Sequence, residues 1–158
     1  MRLNSDVLQL VTFRLGEEEY AIDILKVQEI IRMVEVTPIP NAPYVVEGVI
    51  NLRGRVIPVV NLRKKFGVQG DCSTAQSKII VVDIGIICGL IVDTVSEVLR
   101  LPLDSVEPPP SFANNAGSRA IKGIGKLDDR LLILLEVSRL FENSELNTMG
   151  QITGEGEV

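Results

Sequence analysis

The residue types that could do chemistry in this chain are few, and their spacing argues against catalysis. There is no histidine, which removes the usual base near neutral pH and the commonest metal ligand. Glu17-Glu18-Glu19 follow Gly16 as an acidic turn between two strands. Consecutive carboxylates at a hairpin tip do not converge on one point, so a solvated turn is expected rather than a metal site. Asp93 ends a long apolar run and reads as the cap of the next turn, Thr94–Leu99. Asp128-Asp129 sit at a turn of their own, which explains them better than paired acid-base carboxylates. Gly123-Ile124-Gly125 lacks the third glycine and the long helix that a dinucleotide site needs. No nucleophile elbow, phosphate-binding glycine loop or zincin motif occurs. Cys72 and Cys88 have neither metal-ligand spacing nor a disulfide framework, so both thiols read as structural in a reduced protein. No metal and no cofactor is expected.

What remains is an arginine. Glu47–Leu62, EGVINLRGRVIPVVNL, reads as a hairpin of two apolar runs around Asn51-Leu52-Arg53-Gly54. Arg53-Gly54 makes a plausible two-residue turn because glycine accepts positive φ without steric cost. Such a turn thrusts Arg53, a planar and permanently charged fork, into solvent at the tip of a rigid ladder. An ordinary core hairpin is the plainer alternative. Pro58 has no N–H for a ladder, so its strand is expected at a sheet edge or at a bulge.

The hairpin occurs twice. At an offset of 75, residues 47–66 lie on residues 122–141 without a gap. Gly48 then meets Gly123, Leu52 meets Leu127, Arg55 meets Arg130 and Phe66 meets Phe141. At an offset of 68, YAIDILKVQEIIRM (20–33) lies on CGLIVDTVSEVLRL (88–101). Val27, Glu29 and Arg32 there meet identical Val95, Glu97 and Arg100. Two collinear matches point to a duplicated unit of roughly 70 residues, and chance similarity between apolar β-rich segments is the competing explanation.

The 158 residues fit one domain able to bury a proper core. With no Trp, two Tyr and four Phe, that core must be Val, Ile and Leu, which favour pleated sheet. A net charge of −5 leaves no basic footprint for nucleic acid or an anionic membrane. No apolar run reaches the length of a membrane span, and no signal-peptide pattern opens the chain.

In chain order, Leu8–Arg14 and Tyr20–Ile24 predict a first hairpin. Leu25–Met33 changes period, with Val27, Ile30 and Ile31 at spacings of three and four, and predicts a short helix or helical turn. Leu62–Phe66 predicts one helical turn with Arg63, Lys64 and Lys65 on a solvated face. Gly70–Gln76 is a polar connector where the copies join. Ser77–Ile84 and Ile86–Asp93 predict strands buried on both faces. A stiff Pro108–Pro110 block precedes Phe112, and an exposed loop phenylalanine often marks a contact. Val137–Asn143 predicts a short helix, and the polar remainder a frayed tail.

LGEEEYAIDILKVQEII, GVINLRGRVIPVVNLRKKFG, GLIVDTVSEVL, VEPPPSF and IKGIGKLDDRLLILL together resemble the CheW family, the adaptor of bacterial chemotaxis arrays. The same module also forms the regulatory domain of the CheA histidine kinase and the front of CheV-type proteins. The likeness runs from about Leu8 to Phe141. It implies a mostly β fold of two tandem SH3-like five-stranded β-barrel subdomains with short connecting helices. These would span roughly 8–70 and 77–145 of a domain at 8–145, with flexible ends at 1–7 and 146–158.

The resemblance also implies a non-catalytic adaptor, cytoplasmic and recruited to membrane-associated arrays, that ties the cytoplasmic tip of a chemoreceptor to the CheA regulatory domain. The positions matching the receptor surface are Val27, Glu29, Ile30, Gly48, Arg53 and Val98. Those matching the kinase contact are Val36 and Val56, with a second contact around Phe112. Glu47 and Glu107 stand where a Lys and an Arg are familiar in the family, which changes local charge. The competing readings are a generic β-barrel peptide-binding module and an enzyme working in the groove between the barrels.

Overall fold

The computed structural model describes residues 7–70, 76–109 and 117–153. Its strands are β1 (Val7–Leu15), β2 (Glu18–Asp23), β3 (Val27–Arg32), β4 (Val46–Leu52), β5 (Arg55–Asn61) and β6 (Lys78–Asp83). They continue with β7 (Ile87–Val92), β8 (Thr94–Pro102), β9 (Val106–Glu107), β10 (Ile121–Leu127) and β11 (Arg130–Leu135). Two helices, α1 (Leu62–Phe66) and α2 (Asn143–Thr153), and four single 3-10 turns complete the described chain. The strands form a five-stranded sheet, β3-β6-β7-β5-β4, and a six-stranded one, β8-β1-β2-β11-β10-β9.

Both sheets close on themselves in the same way. Beyond β3 the chain bends across to the opposite edge, where Thr37 and Val49 exchange backbone hydrogen bonds of 2.9 Å. Beyond β8 it does the same as β9, which pairs Glu107 with Ile124 of β10. The offsets read from the sequence hold in three dimensions. Each hairpin, β4–β5 and β10–β11, carries a register shift at the equivalent place, between Val46 and Gly48 and between Ile121 and Gly123. The parallel pair Val59–Gly89 has its counterpart in Leu134–Ala21. The mostly β, two-barrel expectation is therefore met, with the two-residue β9 as a sixth strand in one sheet.

The barrels do not, however, follow the halves 8–70 and 77–145. The five-stranded sheet joins β3–β5 to β6–β7, and the six-stranded one joins β1–β2 to β8–β11. Each repeat thus lends a hairpin to the other barrel. The reason lies in the buried runs. In β6, Ile79 and Val81 face the interior of the five-stranded barrel while Ile80 and Val82 face a core shared by both sheets. In β2, Tyr20 and Ile22 face the shared core and Ala21 the other barrel interior. A strand apolar on both sides needs partners on both sides, and the exchange supplies them.

Several local expectations are corrected. Leu25–Met33 is not a helix: one 3-10 turn, Ile24–Lys26, leads into β3. A bulge between Val27 and Glu29 displaces the alternation by one residue and mimics helical spacing. Thr94–Leu99 is not a turn capped by Asp93 but most of β8. Pro58 sits in a strand paired on both sides, yet its missing N–H leaves no gap. Val49 turns its N–H and C=O to Thr37, so Pro58 nitrogen faces away from β4, where pairing with β7 begins only at Val59. The tail after Asn143 is not frayed as far as Thr153; α2 buries Met149 completely and packs Leu146 and Ile152 on the shared core. Of Val137–Asn143, Val137–Arg139 forms a 3-10 turn and Asn143 opens α2, with no helix between them.

Candidate functional site

The turn that joins β4 to β5 has positive φ at both central residues, 52° at Arg53 and 84° at Gly54, the geometry whose twist matches a β-ladder. Asn51 fixes it by accepting a hydrogen bond from the Gly54 N–H at 2.8 Å. Arg53, 70 % exposed, reaches from this tip to Glu29 on β3. Its two terminal nitrogens donate to the two carboxylate oxygens, one at 3.2 Å. That hydrogen bond from Arg53, with the guanidinium charge, holds the Glu29 carboxyl below its ordinary range, and Glu29 in turn raises Arg53. Below the pair lies a cavity of about 260 Å3 reaching Leu52, Val81 and Ile87, apolar residues of the five-stranded barrel interior. A paired charge thus stands at the open end of an apolar barrel.

Of the other positions implied by the resemblance, Val27 and Ile30 share β3 with Glu29. Val27 is half-buried and Ile30 is 39 % exposed. Val98 is 58 % exposed on β8, the edge of the other sheet. Gly48 offers no side chain and is buried. A Cβ there would lie 2.1 Å from the Thr37 carbonyl oxygen, and its φ is +152°, so glycine is required for the bridge that closes the barrel. Val56 is 47 % exposed, and Val36 is half-buried against the same barrel. Phe112 and Cys72 lie outside the described residues. The structure therefore joins Glu29 and Arg53 directly, sets Val27 and Ile30 beside them on β3, and gives Gly48 a backbone role.

Other charges depart from the sequence expectation. Glu19 is no solvated turn residue: it is 8 % exposed and accepts from Arg130 at 2.7 Å and 3.2 Å. Arg130 also reaches Glu97 at 3.0 Å. Glu97 matches Glu29 in the repeat, but Arg53 matches Asp128, so the second hairpin reaches its edge strand through Arg130, the match of Arg55, instead.

Asp93 accepts from the Gly16 N–H at 2.8 Å and from Arg63 at 2.7 Å and 2.5 Å. Burial pushes its carboxyl upward, but the hydrogen bonds from Arg63 and Gly16 outweigh this and hold it below the usual range. Lys65 is 5 % exposed on its ion pair with Glu145 at 2.9 Å. The basic run 63–65 is therefore half-buried and held in ion pairs, not on a freely solvated face. Nothing in the local sequence showed the partners of Arg63 and Lys65, which lie 30 and 80 residues away. The two departures from the family are balanced within the chain, Glu47 by Lys64 at 2.5 Å and Glu107 by Lys126 at 2.6 Å.

Among the described residues no three His, Cys, Asp or Glu groups could hold a metal ion. Burial pushes the Cys88 thiol up to about 12, leaving it unreactive near neutral pH. No described helix is long and apolar enough to cross a membrane.

Two closed sheets carrying exposed apolar strand positions around a paired charge define a β-barrel interaction module. The CheW-like domain model matches residues 9–145. The chain is 41 % identical over 139 residues to the chemotaxis protein CheW of Klebsiella aerogenes, across 87 % of this chain and 84 % of that one. It is 36 % identical over 158 residues to the chemotaxis protein CheW of Treponema pallidum, across 96 % and 92 %. A crystal structure of the scaffolding protein TtCheW from Thermoanaerobacter tengcongensis superposes with a TM-score of 0.79 at 40 % identity, covering 87 % of this chain and 94 % of that one. The chain belongs to the CheW-like family.

Proposed function

We propose that this chain is a chemotaxis adaptor, not an enzyme, that couples chemoreceptors to the CheA histidine kinase and helps to build the signalling array. Residues 8–145 act as one unit in this role. The observation that carries the reading is Arg53, held over the end of an apolar barrel and beside the partly exposed β3, on a chain of this family. An amphipathic receptor helix would lay its apolar face on Val27, Ile30 and Val98, with Arg53 and Glu29 setting register. The kinase regulatory domain would meet the end of the five-stranded barrel at Val36 and Val56, with a second contact in the region of Phe112. The protein would work in the cytoplasm, at arrays beneath membrane receptors.

The test is calorimetric titration of the full chain with the CheA regulatory domain of the same cell, repeated with Val56→Glu. Val56 is already half-exposed on β5, so the charge is tolerated by the fold but not by an apolar contact. Saturable binding abolished by Val56→Glu, with unfolding unchanged, supports the adaptor reading. No binding by the wild-type protein leaves the generic barrel module.

A further inference from the structure

A second cavity, of about 440 Å3, is lined by Arg119, Arg139, Phe141, Glu142 and Asn143 and shares no residue with the one under Arg53. Its walls are two adjoining 3-10 turns, Gly117–Ala120 and Val137–Arg139, and the start of α2. The turns are tied by the Glu136 N–H, which donates to the Ala120 carbonyl at 2.8 Å. Ala120, Val137 and Leu140 are buried beneath them. Both arginines thus ride on anchored backbone while their side chains stay exposed.

Neither arginine has a carboxylate partner among the described residues, whereas Arg53 and Arg63 each hold one and Arg130 holds two. Two uncompensated guanidiniums facing one cavity are conspicuous in a chain of net charge −5. Each presents a planar fork of N–H donors that matches a carboxylate. Glu142 in the same wall offsets one of the two, leaving a net charge of +1. That excess of positive charge attracts an anion, and the two planar forks suit a planar carboxylate. The cavity is far larger than a carboxylate alone, and Phe141 offers its stem an apolar wall.

We propose that this cavity binds an acidic side chain, Asp or Glu, of a partner polypeptide, with the carboxylate between Arg119 and Arg139 and the Asn143 amide as a further donor. The cavity shares no lining residue with the receptor and kinase positions named above.

The test is a titration of the 15N-labelled full chain, followed by amide shifts, with acetyl-Leu-Glu-amide, acetyl-Leu-Gln-amide, acetate and inorganic phosphate. The glutamyl peptide is expected to shift the cavity amides saturably, the glutaminyl peptide not at all, and acetate far more weakly than the peptide. Arg119→Gln and Arg139→Gln should each weaken the peptide about tenfold, as for loss of one charge-assisted hydrogen bond, with thermal unfolding unchanged. Equal shifts from the glutaminyl peptide, or none that saturate, would overturn the proposal. So would acetate binding as well as the peptide, which would make the site one for small free acids, or phosphate binding more tightly.

Discussion

Arg53 and Asp93 show how differently two charged residues can be used in one small molecule. The Arg53–Glu29 pair is exposed, and exposed pairs contribute little to stability. Arg53→Ala should therefore leave the urea midpoint of unfolding nearly unchanged while abolishing binding to the receptor tip, as read by denaturation and by co-sedimentation with receptor. A bracing role alone would give the opposite pattern, lower stability with unchanged binding by the folded fraction. Asp93 instead ties the β1–β2 turn, the start of β8 and α1 together through Gly16 and Arg63. Its carboxyl is depressed in the folded state, so its stabilising contribution is complete above the unfolded carboxylate pKa, about 3.9, and is lost as pH falls through the folded value. Urea midpoints for wild type and Asp93→Asn should differ by a constant amount near neutrality and converge below about pH 4.

Among the elements, α2 depends most on its surroundings. Asn147, Thr148 and Gly150 are poor helix formers, which is why the segment reads as a tail. It is helical because Leu146, Met149 and Ile152 pack on the shared core and Glu145 both accepts from Lys65 and caps the Glu142 N–H at 2.9 Å. Met149→Ala should destabilise the protein by about 3 kcal/mol, as for a fully buried Met elsewhere, measured by urea unfolding; a frayed tail would show no change. In β3 the converse happened. The residues are good strand formers, and only the bulge between Val27 and Glu29 disguised their period, so propensity would have served better there than spacing.

At the scale of the whole molecule, each barrel takes strands from both repeats. A chain cut between residues 70 and 76 would leave the five-stranded sheet without β6 and β7, and the six-stranded one without β1 and β2. Neither fragment should unfold cooperatively or give dispersed amide spectra alone, and mixing the two should restore both properties. Sequential barrels would instead let each fragment fold by itself. The exchange also explains why three apolar clusters, two inside barrels and one between them, arise from strands that are apolar along their whole length.

The sequence by itself determined the β class, the repeat, the Arg53-Gly54 turn and the family. These depend on local chemistry: β-branched runs, a two-residue turn that tolerates positive φ, and motifs compact enough to recognise. Only the tertiary structure decided which hairpin entered which barrel, because an offset reveals that two segments are alike and not which partner each one pairs with. It alone placed Asp93 on Arg63, Glu19 on Arg130 and Lys65 on Glu145, pairs whose members are far apart in the chain and whose side chains meet only once the barrels have closed. It alone gave Gly48 its reason, since the oxygen that excludes a Cβ there belongs to Thr37, on the segment that seals the sheet.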